Sequence, residues 1–523
     1  MSLKERDIEI QDSPLGEPAA AIAAIEPGAG LEGGRIKSGK LAGLSMWQAI
    51  WVVSWPVLVE SLLNSLVGLT DTALSAAVSR DAADGVAAAS YFLWIVSLFP
   101  IALGVGATAL ISRSAGKGRL AVAQTVVGQC FTLSFIAGAL GVLVAIVAAP
   151  IVSSWFNLKD QAHQDAVTYI RLVALAAPMQ TFVSAGIACL RGLGDSLRPL
   201  LLMILINVVN IVASFALSGV EYAYATTDPS GAAVRHVLVG NPFPFDLGVA
   251  GISLGTVAAW SVGAMAMFAM LVRGAHGVRL RTRRMRIHWH TTRRLLRIGL
   301  PNLLETFGMW AGNFLVILLV GLMHQPGLLG AHIITVRIEA FSFLPGFAMS
   351  LAAATLAGQY LGAGSPHLAR LAVWRCLGVA AAMMGAAGVV FVVFGRAVTG
   401  IFSQQPEHLE IVPTLLIISG VSQPVFAVSI VFRSALRGAG VTGAVARITW
   451  ISIFAIRLPL AWLFSGVDLP LPGGLTIPNP APLQRLGMHP LAGFWVGLCA
   501  ELTIRGVFFT IEFVRGNWTR ARV

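Results

Sequence analysis

Apolar runs of about 20 residues or more follow one another along this chain, and a run of that length crosses the hydrocarbon core of a bilayer as a helix. Twelve are legible, beginning near Met46, Val86, Ala121, Asp165, Pro199 and Asp246, then near Leu296, Leu329, Arg370, Leu409, Ala444 and Leu491. Inside a bilayer the backbone can satisfy its own N–H and C=O groups only in helices or in a closed barrel. The runs lack the short alternating segments of barrel strands. The sequence therefore predicts an all-α integral membrane protein. Only 11% of the residues are charged and 56% are hydrophobic, whereas about a quarter of a soluble domain is charged.

The connections between spans alternate in kind. "SRSAGKGR" from Ser112, "RGLGDSLRP" from Arg191, "RGAGVTGAVAR" from Arg437 and the run Arg273–Arg297 are basic. "SRDAADG" from Ser79, "NLKDQAHQD" from Asn157, "SQQPEHLE" from Ser403 and "VDLPLPGGLTIPNPAP" from Val467 are acidic or rich in proline. Basic loops stay on the cytoplasmic side, so both termini are expected in the cytoplasm of a multi-pass protein of the cell (inner or plasma) membrane. The net charge of +12 resides largely in these loops, which fits anionic lipid headgroups and not nucleic acid. The four cysteines fall inside apolar spans with no metal-ligand or disulfide spacing,.

Residues 1–45 have no apolar signal-peptide core and are expected to form a disordered cytoplasmic tail. Spans at 46–272 and at 298–516 make two lobes of six helices each. A basic cytoplasmic linker, 273–297, joins them, and 517–523 form a short C-terminal tail. The lobes repeat one another. Pro56-x-x-x-Glu60 returns as Pro301-x-x-x-Glu305, and Pro100 returns as Pro345, at one and the same offset. Pro178 returns as Pro424, and "LRGLG" from Leu190 as "LRGAG" from Leu436, at an offset longer by a single position. Six spans bring the chain back to its starting side, so the halves are parallel repeats, which in transporters frame a cleft between lobes.

The first span, "PVLVESLLNSLVGLTDTA" from Pro56, carries Glu60, Asn64 and Asp71. At about 100° per residue these three lie within roughly 40° of one another on a helix. A polar stripe of this kind faces a bundle interior or a watery cavity. It either bonds neighbouring helices or binds a proton, or a sodium ion where oxygen-bearing neighbours complete the shell.

Together with "FLPGFAMSLAAATLAGQYLGAG" from Phe343, "LRGLGDSLRP" and "ALRGAG", this span resembles the multidrug and toxic compound extrusion (MATE) family, prokaryotic branch, from about Met46 to Arg515. The resemblance implies a two-lobe transporter that exports cationic or amphiphilic small molecules against a proton or sodium current. It also implies a coupling site in the first lobe at Asp71, Asn210 and Thr256. Ser214 stands where some members carry a second Asp, which favours a proton over sodium, although sodium at Asp71 stays open. Members with a second-lobe cation site have acids at positions that here are Met309 and Phe426. The repeat of Asp71 itself falls on Val316.

Glu305 and Glu339 join Glu60 and Asn64 as supporting or substrate-cavity candidates. Arg337, Arg457, Glu501 and Arg505 read mainly as ion pairs inside the second lobe. The glycine-bearing loops at Gly116 and Gly362 lack Walker spacing, and no H-E-x-x-H or G-x-S-x-G pattern occurs, so no enzymatic activity and no cofactor are expected. The reading is a secondary-active efflux antiporter that works as a monomer. Its rival in the same superfamily is a flippase or exporter of a lipid-linked or other metabolite.

Overall fold

The computed structural model describes residues 30–37, 39–155, 158–227, 233–325, 327–470 and 475–521. Its first half contains α1 (Met46–Val78), α2 (Arg80–Val96), α3 (Leu98–Gly116), α4 (Leu120–Trp155), α5 (Asp160–Ala174), α6 (Ala177–Gly192), α7 (Leu197–Ser218) and α8 (Gly248–Arg273). The second half contains α9 (Trp289–Gly321), α10 (Leu328–Gly362), α11 (Pro366–Phe402), α12 (Pro406–Gly438), α13 (Thr442–Trp450), a π-helical segment (Ile451–Arg457), α14 (Leu458–Ser465) and α15 (Pro490–Arg515). Among the described residues ten spans, with α13, the π segment and α14 taken as one, are long and apolar enough to cross a bilayer. α5 and α6, bent by 52°, make an eleventh. The remaining expected span falls on α2 and α3, two shorter helices that abut at Ser97.

Local chemistry sets the ends and breaks. Ser45 and Gln48 form a reciprocal capping box that starts α1, satisfying backbone donors that no helical carbonyl reaches. Gly219 and Gly516 close α7 and α15 in the left-handed conformation, at φ 74° and 75°. Pro178 sits in the first turn of α6, beside the bend, where its missing N–H costs nothing.

The two lobes clamp each other on the face that carries the basic loops. Ile50 and Val53 of α1 are buried in the second lobe's core, with Met349, Ala352 and Leu356 of α10. Their counterparts in the repeat, Leu295 and Ile298 of α9, are buried in the first lobe's core. Between them α3 and α10 cross at small residues. A Cβ on Gly116 would strike the carbonyl of Gln359, and one on Gly362 would strike the carbonyl of Arg113. Thr355 and Gln359 also donate hydrogen bonds to the carbonyls of Arg191 and Gly192 across the seam, at 3.2 and 3.0 Å.

Each lobe holds the same buried ion pair. Arg191 lies 2.7 Å from Glu60, and Arg437 lies 2.8 Å from Glu305. The two acids are repeat counterparts, and so are the two arginines, so the pair belongs to the repeat itself. It ties the first helix of each lobe to the basic end of the fourth span.

Three expectations need correction. Residues 30–45 are not a loose tail. β1 (Leu31–Glu32) and β2 (Arg35–Ile36) pair antiparallel, and Ile36 and Leu41 are buried because the hairpin lies against Gly116, Ala363 and Gly194 of both lobes. Residues 1–29 lie outside the described set. The C-terminal segment is not a free tail either, since Trp518 is fully buried on Phe513. The linker also ends early, because Trp289–Arg297 are already helical. Gln129 holds it by donating to the carbonyls of Arg284 and Arg286 and accepting from the His288 N–H and the Thr292 hydroxyl.

On the same face Asp195 accepts from His276 at 2.9 Å and from Arg198. Burial pushes its carboxyl up, but these hydrogen bonds and the Arg198 charge outweigh burial and hold it below the usual carboxylate range. The other face carries an antiparallel hairpin of β3 (Tyr222–Thr227) and β4 (Ala233–Val239). A small pair, β5 (Leu469–Pro470) and β6 (Thr476–Ile477), lies between α14 and α15.

Two outcomes are expected. Gly116→Val should pry the clamp open, so that spin labels on the exposed Lys117 and His367 move apart by electron–electron resonance. An unchanged distance would remove the glycine contact from the clamp. Glu305→Leu should lower stability by about 3 kcal/mol, because it strands a buried guanidinium. Thermal unfolding in micelles should show that loss, with most of it recovered in Glu305→Leu/Arg437→Met.

Candidate functional site

Asp71 sits on the face of α1 that turns into its own lobe, two turns before the helix ends. It is 2% exposed and is approached by three other helices. Tyr169 of α5 donates to its Oδ2 at 2.6 Å. Thr256 of α8 donates to the same carboxylate, at 2.8 Å from Oδ2 and 3.1 Å from Oδ1. Asn210 of α7 donates at 3.4 Å and also reaches Thr256 at 3.0 Å and Ser214 at 3.4 Å. Ser214 in turn donates to the carbonyl of Ile252. Among the described residues no Lys, Arg or His forms an ion pair with Asp71. Its charge is met by neutral donors alone.

Close packing holds these helices at that distance. A Cβ on Gly255, the neighbour of Thr256, would collide with Ser214, and one on Gly251 with the carbonyl of Leu217. Glycine on α8 therefore lets α7 come near enough for Asn210 and Thr256 to meet. Small residues at helix contacts serve this purpose throughout membrane bundles.

The structure thus brings Asp71, Asn210, Ser214 and Thr256 together. It adds Tyr169, which the sequence reading did not single out. Tyr169 lies in "DAVTYIRLVA", inside the span that begins near Asp165. The one available signal was a tyrosine inside a span. The Asn210 Oδ1 atom is buried and, among the described residues, accepts no hydrogen bond. The oxygens of Asp71, Asn210, Thr256 and Ser214 form a donor set that suits a proton or a small hard cation. Among the described residues, no three His, Cys, Asp or Glu side chains gather as metal ligands.

The other candidates stand elsewhere. Glu60 and Glu305 are engaged in the ion pairs described above, and Glu305 also accepts from Thr449 at 3.0 Å. Asn64 is exposed, unlike Glu60 and Asp71. The buried stripe of α1 runs through Glu60, Val67, Asp71 and Leu74, and Asn64 lies at its edge, beside the exposed Gly68 and Thr72. The stripe is narrower than the helical angle alone predicts. Glu339 is hydrogen-bonded by Ser419 at 2.6 Å and Gln423 at 3.4 Å. Glu501 pairs with both Arg457 and Arg505, at 2.9 and 3.1 Å, while Arg337 is exposed.

Comparison with known proteins bears on the fold and the family. The model of the family described as MatE matches residues 56–216 and 301–463, one segment in each lobe. The probable multidrug resistance protein NorM of Thermotoga maritima is 24% identical over 471 residues, covering 90% of this chain and 92% of its own. The multidrug resistance protein MdtK of Yersinia pseudotuberculosis is 22% identical, covering 89% of this chain and 94% of its own. Among solved structures, the bent form of the Vibrio cholerae MATE transporter VcmN superposes with a TM-score of 0.76 at 18% identity, over 91% of this chain and 98% of that one. With both lobes matched and the fold shared along nearly its whole length, the chain belongs to the MatE family of multi-pass membrane transporters.

Proposed function

We propose that this transporter is a secondary-active antiporter that exports cationic or amphiphilic small molecules in exchange for protons, with Asp71 as the proton carrier. The observation that carries the reading is a carboxylate buried in a span, hydrogen-bonded by three helices and, among the described residues, offset by no basic side chain. Such a group is a functional candidate by default, because a merely structural acid would be paired.

The chemistry of the exchange follows from the hydrogen bonds. Ionised, Asp71 accepts from Tyr169, Thr256 and Asn210 and so draws α5, α7 and α8 onto α1. Once protonated, it carries a hydrogen that needs an acceptor. Asn210 supplies one if its amide turns over, because its Oδ1 is otherwise unbonded. That reversal exchanges an attraction between charge and dipole for a weaker neutral bond and changes how α1 packs. The lobes, clamped on the basic face, then favour a different opening.

A ligand shifts such an equilibrium only by its different affinity for the two states, and coupling between two ligands is reciprocal. Proton and exported molecule must therefore disfavour each other. The contacts on the basic face support an outward-open arrangement here, and the basic loops put that face, with both termini, in the cytoplasm; on this reading a single copy is the working unit. Ser214, in place of an acid, leaves one carboxylate in the cluster and weakens the case for sodium.

Efflux of a fluorescent cationic dye from oriented proteoliposomes tests the scheme. Wild type should export dye under an imposed proton gradient and not under a sodium gradient at equal pH. Asp71→Asn should lose gradient-driven export while eluting as a single folded species. Undiminished export by that variant would remove Asp71 from coupling. Asn210→Leu should slow export by about ten-fold, the equivalent of one hydrogen bond to a charged group. A rate matching wild type would discard the amide reversal.

A further inference from the structure

The two lobes are alike in fold and opposite in charge. In the first lobe the polar cluster carries the single negative charge of Asp71. At the equivalent positions of the second lobe, Val316 replaces Asp71, Arg457 replaces Val212, Glu501 replaces Thr256 and Arg505 replaces Trp260. The second lobe thus puts ions where the first has neutral side chains, and a valine where the first has its acid. The backbone departs there too. The span that matches α7 turns into a π-helix over Ile451–Arg457, next to Pro459, and ends it on Arg457. Single π turns inside α-helices occur often at functional sites.

The charges of this second cluster do not cancel. Glu305 takes Arg437, and Glu501 takes Arg457 and Arg505. Glu339 is bonded by Ser419 and Gln423, with no ion pair among the described residues. Arg433 is left over. Its Nη1 is 4.0 Å from Glu305 Oε1, which already accepts from Thr449, and 3.1 Å from the Met309 sulfur, a weak acceptor. Its Nε is buried and, among the described residues, has no hydrogen-bond partner. Arg437 and Arg505 are its like-charged neighbours. Four arginines therefore stand against three glutamates.

Arg433 is not part of the shared scaffold, since its counterpart in the first lobe is Ile187. A buried cation whose only acid is 4.0 Å away and already engaged by Arg437 and Thr449 is poorly compensated,, so it calls for an anion from outside the chain. Access exists. The side chains of Arg433, Arg437 and Arg457 are 17%, 15% and 13% exposed. A guanidinium fork with an unused N–H is shaped to hold a carboxylate by two parallel bonds.

We propose that Arg433, backed by Arg437 and Arg505, binds the carboxylate of an amphiphilic substrate. The inference rests on the export of amphiphilic molecules proposed above and narrows their class to acids and zwitterions that carry a carboxylate. The proton carrier and the carboxylate site lie in different lobes, so the opposition between proton and substrate passes through the packing of the two lobes and not through a shared pocket.

A matched pair of dyes tests it: a rhodamine with a free carboxylate and its ethyl ester, which differ by one negative charge. Equilibrium binding to the full chain in nanodiscs of zwitterionic lipid is read by fluorescence anisotropy. Wild type should bind the acid about ten-fold more tightly than the ester, the effect of a charge-assisted hydrogen bond. Arg433→Gln should bring the two within about two-fold, and Arg433→Lys should fall between, since an ammonium keeps the charge without the fork. Equal binding of acid and ester by wild type would overturn the proposal, and that arm needs no variant to fold. A preference that survives Arg433→Gln would also overturn it.

Adding phosphatidylglycerol distinguishes a substrate from a lipid. A preference that persists supports the substrate site, and one that vanishes gives the site to a headgroup and overturns it. Gradient-driven export of the acid is measured in parallel. If the acid fails to move while its binding preference stands, the efflux reading falls and the carboxylate site survives. If the acid moves and no preference exists, the reverse holds.

Discussion

A charge or an unpaired amide inside a bilayer has no water to turn to, and every other feature of this molecule answers to that constraint. It forces the spans to be helices. It also forces each polar side chain to find its partner on a neighbouring helix, so the polar residues decide which helices touch. Gln129 makes four hydrogen bonds to the basic linker and the first turn of α9. Glu60 and Glu305 fasten the first helix of each lobe to its fourth span. Asp71 draws in three helices at once. Between these points, association depends on close approach, and glycine supplies it at Gly116, Gly255 and Gly362.

The repeat separates what holds the lobes together from what makes them different. The Glu–Arg pair, the glycine crossing of α3 with α10 and the reciprocal burial of Ile50 with Leu295 and of Val53 with Ile298 all recur from one lobe to the other. These are scaffold. Asp71, Arg433, Arg457, Glu501 and Arg505 do not recur. A buried charge that symmetry does not require has to be held for some other reason, because replacing it with an apolar residue would in many cases stabilise the fold. The departures from symmetry are therefore where function is best sought.

Much of the architecture could be read from the sequence, because hydropathy and the alternation of loop charge act over whole spans and survive local irregularity. The Asp71 cluster was also legible, through the spacing of Asn210 and Thr256 within a recognisable family pattern. What escaped were contacts set by tertiary geometry. Tyr169 reaches Asp71 from a helix whose composition looks polar, 98 residues away in sequence. Asn64 fell outside the buried stripe because a few tens of degrees of helical phase separate a lobe interior from an exposed face. The N-terminal hairpin was hidden because few apolar residues anchor it, Ile36 and Leu41 with Leu31 and Leu44 beside them, too scattered to register as a pattern. Arg433 sits in "VFRSALRG" one turn of α12 before the basic loop that starts at Arg437, and its spacing alone did not mark it as buried.

One helix links the two halves of the proposed mechanism. α1 has 33 residues and is about 50 Å long at 1.5 Å per residue. Its first turns are buried in the partner lobe, and its last third carries Asp71. Pro56 stands between them and weakens the hydrogen-bond ladder at one point, so the two ends can reorient without the helix unwinding. A change in the hydrogen bonds at Asp71 acts on α1 near one end, and the other end is part of the clamp. The matching helix, α9, has the same proline at Pro301 and the same clamp positions, but it has Val316 in place of the acid. On this reading the drive enters through one lobe only, and the second follows because each lobe's first helix is packed into the other. That division leaves the second lobe's interior free of the proton cycle, and there the sequence has placed its excess arginine.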